Sequence, residues 1–360
     1  MSARIGVVGS GWWATQAHLP SLQANPDATI AGIADTDTVR RETAARAFGD
    51  PPTFPTLEGL LECELDGVVI STPHASHHPL AALALDHGLH VLLEKPMTIE
   101  PADAHDLVRR AEDAGVELIV GYPYHFNRQS LALRETIARG TIGRLEHVAC
   151  LFASIVREFY RGNPHSYADT FGITVQVPDA ATYSTPALAG GGQGQTQVTH
   201  SAALLLWLTG LTIESLAAFT ADFDLQVDLA DAVAVRFVGG AVGTLASTGG
   251  VAARQPELLE YRIFGDEGDV LFEPNEGLAR IRTADGAVEH LPVLEPRARY
   301  PERAPAQNLV DVALGRAPNG SPPGIAVATV ELIDAIYRSA RDGTVTRPGA
   351  EITASGERVG

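Results

Sequence analysis

Lysine is almost absent from this chain: of its 26 Lys and Arg residues, only Lys95 is a lysine. Basic charge as a whole is scarce, since 44 Asp and Glu residues leave a formal net charge of −18. A surface this negative repels phosphate backbones and anionic lipid, so neither nucleic acid nor membrane is expected as a partner. Cysteine is limited to Cys63 and Cys150, too few for a disulfide-stapled secreted scaffold, and reduced thiols in a cytoplasmic protein are the simpler expectation. No apolar run reaches the roughly 18 residues of a membrane-spanning helix. Met1-Ser2-Ala3-Arg4 leads straight into the strand-like Ile5-Gly6-Val7-Val8, so no signal peptide is expected.

What is present is ample core material. The 360 residues are 45% hydrophobic, enough for two globular domains at about 150 residues each. Residues 4–9 read as a buried strand, and Gly9-Ser10-Gly11-Trp12-Trp13-Ala14 makes a G-x-G-x-x-A turn into a helix reaching toward Leu22. In a dinucleotide fold the first glycine permits the tight turn and the second lets backbone approach a pyrophosphate. The third small residue, here Ala14, packs helix on strand. A second strand, residues 29–34, ends at Asp35, where a carboxylate would accept both adenosine ribose hydroxyls; this favours NAD over NADP. Arg40 and Arg41 could reach a 2′-phosphate instead, or simply solvate the helix that starts near Thr38.

Strands and helices keep alternating to about residue 121, through strands at 67–72, 90–93 and 117–120 and helices at 80–87 and 101–114. This predicts an α/β domain, residues 1–121, with a doubly wound parallel sheet. Ligands of such sheets bind beyond the carboxyl ends of the strands. Trp12 and Trp13, Ser71, Thr72, Pro73 and His77, and Glu94 with Lys95 are therefore candidate cofactor contacts. Lys95 carries more weight, because a chain that elsewhere uses arginine for exposed cations has kept lysine at a strand end. Lysine differs in being a compact charge whose pKa burial can lower into the range of proton transfer. Chance survival is the bland alternative.

After residue 122 the pattern changes. A helix at 130–139 is followed by strand-like segments at 145–156, 214–224, 231–238, 242–248 and 258–265 without intervening helices. The second domain, residues 122–360, is therefore expected to be α+β with a large open, mostly antiparallel sheet, a last helix at 326–340 and a polar tail. Between Asp179 and Glu214 there is no charged Asp, Glu, Lys or Arg, yet the stretch holds Gln193, Thr196, Gln197 and His200. A helix beginning at Gln193 would align these four by i, i+3, i+4 and i+7 spacing, presenting amides and a hydroxyl to a neutral polyhydroxylated substrate. Alternatively they satisfy buried backbone groups. Arg157, Arg161 and His165 could bind an anionic substituent or form an exposed basic loop.

GSGWWA at Gly9, STPHASHHPLAALALDHGLHVLLEKP ending at Pro96, and GGGQGQTQVTH ending at His200 together resemble the glucose-fructose oxidoreductase, inositol dehydrogenase and rhizopine catabolism (Gfo/Idh/MocA) family. Tyr337-Arg338-Ser339-Ala340 with Gly343 looks like that family's closing helix and turn, so the resemblance spans the chain. It implies an NAD-dependent sugar or polyol oxidoreductase that is dimeric or tetrameric through its second sheet. In that family the EKP lysine and a histidine, with an aspartate four residues before it, contact the reacting carbinol. Lys95 and His200 match, but the aspartate position is Thr196, and Val198 replaces a usual glycine. A threonine cannot ion-pair, so the proton relay must differ. Tyr122, Tyr124, His125 and Tyr183 are candidates to fill the role, each with a packing alternative. Three functions follow: a dehydrogenase of a sugar, polyol or glycoside; a redox-assisted glycoside hydrolase that oxidises, eliminates, hydrates and re-reduces; and a non-catalytic NAD-sensing regulator. The second is compatible with the altered proton inventory, while the retained lysine opposes the third.

Overall fold

The structure, a computed structural model, describes residues 2–349 except Thr174 and Ala253, so most of the expected polar tail lies outside the described residues. Six short strands, β1 (Ala3–Val8), β2 (Ala28–Ala34), β3 (Thr53–Phe54), β4 (Gly67–Ile70), β5 (His90–Leu93) and β6 (Leu118–Val120), form a wholly parallel sheet. Their order is β3-β2-β1-β4-β5-β6. The strands are runs of apolar residues without alternation because both faces are covered: Val68, Val69 and Ile70 of β4 and Val91, Leu92 and Leu93 of β5 are fully buried. The order reverses between β1 and β4, which opens a crevice at their carboxyl ends. Gly9 and Ser71 lie there.

The second sheet comprises β7 (Leu145–Ala153), β8 (Ile213–Ala221), β9 (Ala230–Phe237), β10 (Val242–Thr248), β11 (Leu258–Gly265), β12 (Gly268–Glu273), β13 (Leu278–Thr283) and β14 (Val288–His290). Its order is β14-β13-β12-β11-β7-β10-β9-β8, antiparallel throughout except where β7 pairs with β10. Strands β12 to β14 extend the sheet past the segments read from the sequence. Burial alternates as expected for a sheet covered on one side: Val233, Val235 and Phe237 point inward while Ala232, Ala234 and Arg236 face out. The inner face packs on the helices Thr199–Thr209 and Pro323–Asp342, whose Leu205, Trp207, Leu332 and Ile336 are buried with it. The outer face is bare.

One crossing connects the layers in an unexpected way. The helix Ala304–Ala313, far along the chain, packs back on the first sheet, placing Ala306, Leu309, Val310 and Val312 in one cluster with Ile5, Val7, Val69, Leu92 and Ile119. Among the described residues no helix is long and apolar enough to cross a membrane, and no group of three or more His, Cys, Asp or Glu is arranged to hold a metal ion.

Candidate active site

A cleft of about 790 Å³ runs from the carboxyl ends of β1, β2 and β4 to the inner edge of the second sheet. Gly9 and Gly11, Trp12 and Trp13, Asp35, Ser71, Thr72, Pro73, Glu94 and Lys95 line its first half, as expected from the strand ends. Gly9 is required there: its φ is +85°, and a Cβ on it would collide with the Ser71 carbonyl. Ala14 is fully buried among Ile5, Val7 and Ile33, the helix-on-strand contact that a small third residue allows. At the far end Asp35 is held by Ser10, whose backbone N–H and hydroxyl both donate to Oδ2 at 2.9 Å, and by the Asp37 N–H, which donates to Oδ1 at 2.9 Å. A backbone turn closed to a side chain at Gly9 and open at Gly11, followed by a fixed carboxylate at the end of β2, fits a dinucleotide with free ribose hydroxyls.

The reacting end is built around Glu94 and Lys95. Trp13 Nε1 donates to Glu94 Oε1 at 2.8 Å, His18 Nε2 lies 2.9 Å from the same oxygen, and the Lys95 N–H donates to Oε2 at 3.1 Å. Burial pushes the Glu94 carboxyl up, but the His18 hydrogen bond, the charges of His18 and Lys95 and the Trp13 hydrogen bond outweigh it, leaving it below the usual carboxylate value. Lys95 Nζ donates to the Thr196 carbonyl at 3.1 Å. Burial brings its pKa from 10.5 to about 8, with the Glu94 charge acting in the opposite direction. His200 faces the same space and is held uncharged, well below its ordinary value, by burial first and then by the charges of Lys95 and His125.

Two helices that wall this end contain π-helical segments, Ala14–His18 and Gly194–Val198, and such turns recur at functional sites. The second one alters the sequence-based picture. Thr196, Gln197 and His200 line the cleft, but Gln193 does not. The wider π turn breaks the i, i+3, i+4 relation, and Gln193 turns toward the second sheet, donating to Ser247 Oγ at 2.7 Å and Ser154 Oγ at 3.3 Å. Thr196 Oγ1 donates to the Gly192 carbonyl at 2.9 Å and meets the Tyr160 hydroxyl. The glycines before it serve backbone packing: Asp228 accepts the N–H groups of Gly192 and Gly194 at 2.7 Å each and the Tyr337 hydroxyl at 2.9 Å. A Cβ on Gly191 would collide with that hydroxyl.

Other expectations are corrected. Among the aromatic candidates after β6, only Tyr124 reaches the cleft, where its hydroxyl donates to Asn275 Oδ1. Residues Pro123–Phe126 form a 3₁₀ turn that sends the flanking side chains elsewhere. Tyr122 is buried with its hydroxyl 3.1 Å from Thr199 Oγ1, and His125 is buried against Trp207, with Nδ1 3.0 Å from Ser321 Oγ. His77 does not line the cleft; its two ring nitrogens face the carbonyls of Pro96 at 2.8 Å and Thr72 at 2.9 Å. Arg157 and Arg161 lie outside the cleft, at the start and the end of the helical turn Arg157–Tyr160, and pair with Asp224 rather than forming an anion site in the cleft. Tyr183 lines the cleft, its hydroxyl accepts from Trp12 Nε1 at 3.3 Å, and its ring packs at a tilt against Phe159.

Sequence reasoning missed several lining residues: His74, Glu257, Asn275, Tyr300 and Glu302. His74 Nδ1–H donates to the Ala189 carbonyl at 2.8 Å, and burial, with the charges of His77 and Lys95, lowers its pKa to about 3. Tyr300 meets both Tyr124 and His200 edge to face. The other members come from the second sheet or the chain after it, and no local signal marks them.

Together, the glycine turn, the switch-point crevice and the fixed Asp35 carboxylate define a dinucleotide-binding oxidoreductase fold whose cleft holds a buried lysine facing the second sheet. Residues 3–122 match the oxidoreductase family with an NAD-binding Rossmann fold, and residues 130–271 match the GFO/IDH/MocA C-terminal domain. The chain belongs to the Gfo/Idh/MocA oxidoreductase family, and its first domain is an NAD-binding Rossmann domain. A curated relative is the dTDP-3,4-didehydro-2,6-dideoxy-alpha-D-glucose 3-reductase of Streptomyces antibioticus, 32% identical over 41% of this chain and 45% of that protein. The chain thus spans less than half the length of the first curated relatives it matches. Among solved structures, GenD2 from gentamicin A biosynthesis, in complex with NAD, is 25% identical, with a TM-score of 0.79 and 97% of each chain covered. Levoglucosan dehydrogenase, in complex with NADH and levoglucosan, shares the fold at 18% identity, with a TM-score of 0.80 and coverage of 97% of this chain and 100% of that one.

Proposed function

We propose that the protein transfers hydride between NAD and a secondary alcohol of a sugar, polyol or glycoside, with Lys95 as the proton-transfer residue. The carrying observation is that the only lysine of the chain stands buried at the end of β5, with a pKa lowered to about 8, in the cleft that also holds His200. When bound, NAD supplies the hydride acceptor. Loss of hydride from a carbinol carbon leaves a protonated carbonyl unless the hydroxyl proton departs, and neutral Lys95 Nζ accepts it. In the opposite direction the ammonium returns the proton to the alkoxide oxygen. Thr196 anchors Nζ through its carbonyl, Glu94 fixes the adjoining backbone, and His200 stays uncharged, able to hold the substrate hydroxyl.

The assignment of Lys95, His200 and Tyr124 to chemistry and of Gln197, Thr196 and Tyr183 to substrate is supported by their shared cleft. A homo-oligomer assembled through the second sheet is supported by its bare outer face, where Leu151, Phe219 and Phe264 are exposed. Screening sugars, polyols and glycosides for reduced nicotinamide tests the reading; no NADH from any of them, with NAD bound, overturns it. The second reading, a redox-neutral glycoside hydrolase, is favoured by one observation, the uncharged Thr196 beside Lys95, since removal of a proton from carbon calls for a different proton inventory. Aglycone release without NADH accumulation selects it.

A further inference from the structure

We propose that the substrate half of the cleft takes an amino-bearing, cationic sugar or cyclitol, and that Glu257 is the carboxylate that receives its ammonium group. The inference rests on the oxidoreductase reading for what the cleft does and adds the charge class of what enters it.

Acids and bases are distributed unevenly along the cleft. Arg40, the one lining arginine among the described residues, stands at the adenosine end and lies 3.8 Å from both Asp37 and Asp179. At the reacting end Lys95 is the only lining lysine or arginine among the described residues, and the acids there are Glu94, Glu257 and Glu302. Glu94 is engaged by Trp13, His18 and the Lys95 backbone. Glu302 stands near His18, on the Rossmann side. Glu257 is different: it precedes β11 and so comes from the second sheet, the wall that faces the substrate space.

Glu257 is also held in place. Its Oε1 accepts the Ile155 N–H at 3.1 Å, and no arginine, lysine or histidine among the described residues forms an ion pair with it. Burial raises its pKa, with the Ile155 hydrogen bond opposing, because a carboxylate in a lined cavity loses water without gaining a cation. Hydroxyl groups of a neutral sugar do not need such a group, since Gln197, Thr196 and Asn275 line the same space with neutral donors and acceptors. An ammonium supplies what the carboxylate lacks, a charge-assisted hydrogen bond in a low-dielectric site. A carboxylated or phosphorylated sugar meets repulsion from the same group, and the two arginines that might have received it, Arg157 and Arg161, are paired with Asp224 outside the cleft.

The test is calorimetric titration of the NADH-loaded protein with methyl glucosides carrying an amine at C2, C3 or C6, with methyl glucoside and with methyl glucuronoside. At least one amino probe is expected to bind about tenfold or more tightly than methyl glucoside, with the glucuronoside weakest, and Glu257→Gln is expected to erase most of that preference. Methyl glucoside or glucuronoside binding as tightly as every amino probe overturns the proposal on the wild-type protein alone. So does a folded Glu257→Gln variant that keeps the preference. Turnover separates this from the underlying reading: selective binding of an amino probe upholds the charge assignment even if no sugar, polyol or glycoside, amino-bearing or not, yields NADH from the NAD-loaded enzyme, the outcome that refutes the dehydrogenase.

Discussion

Replacing Lys95 by arginine keeps the charge and removes the proton chemistry. With its pKa lowered to about 8, about one Lys95 in ten is a neutral amine at pH 7. An arginine, whose pKa exceeds about 12, supplies the neutral form in fewer than one molecule in about 10⁵. The ratio is about 10⁴, the upper end of what a positioned general base contributes, so kcat is expected to fall by about 10²–10⁴. The larger guanidinium also cannot reproduce the 3.1 Å contact of Nζ with the Thr196 carbonyl without displacing the substrate. NAD affinity should change less than about threefold, because Gly9, Gly11 and Asp35 are untouched. The pH profile supplies the second arm of the assay. In the wild type, kcat/KM for alcohol oxidation rises about tenfold per pH unit and levels above about 8, as the amine loses its proton; reduction of the ketone shows the opposite trend. Near-normal turnover of Lys95→Arg, or a wild-type profile flat from pH 6 to 9, refutes the assignment. A flat profile would fit His200, which is already uncharged throughout that range.

Three further outcomes are expected. NAD should bind at least about tenfold more tightly than NADP, since Asp35 repels a 2′-phosphate and Arg40 is already engaged with Asp37 and Asp179; equal affinities in parallel titrations would overturn this. Asp231→Asn should raise the melting temperature, and more so toward pH 9. Burial, with the charge of Asp228, raises the Asp231 pKa from 3.8 to about 9, so the folded state prefers its protonated form and loses stability as pH climbs from about 4 to 9, a loss that asparagine avoids. Thermal unfolding of both proteins at pH 6 and 9 measures it, and a gain that shrinks with pH contradicts the sign. Tyr337→Phe removes one donor from the buried Asp228 carboxylate at a cost of about 1.5–3 kcal/mol and should raise KM for the alcohol while sparing NAD binding, because Asp228 holds the turn from which Thr196 and His200 project.

The nucleotide half of the site could be read from the chain because its parts are consecutive and locally constrained. Gly9 needs a positive φ, β1 and β2 are short apolar runs, and Asp35 follows directly. Only β3, two residues long, lies below the length at which a strand leaves a periodic trace. The substrate half was legible only where a motif carried it, at Lys95, Thr196 and His200. Tyr122, His125 and Gln193 were misplaced because a 3₁₀ turn and a π segment rotate neighbouring residues out of the ordinary helical order. Glu257, Asn275 and Tyr300 reach the cleft through sheet register and chain return, and nothing in a one-dimensional pattern links them to a lysine more than 150 positions away.

The helix Ala304–Ala313 has a bearing on how the protein is made. Its buried Ala306, Leu309 and Val310 complete one face of a sheet whose last strand ends at Val120. During synthesis the ribosome delivers that helix about 190 residues after the sheet itself, a delay of roughly 10–40 s at about 5–20 residues per second. Throughout that interval this face lacks the cover of Ala306, Leu309 and Val310, with only earlier members of the same cluster such as Ala14, Leu19 and Leu22 available to shield it. The nascent chain is therefore a natural client for chaperones that bind exposed apolar surface, and a stop codon anywhere before the helix releases an aggregation-prone fragment rather than a smaller working domain.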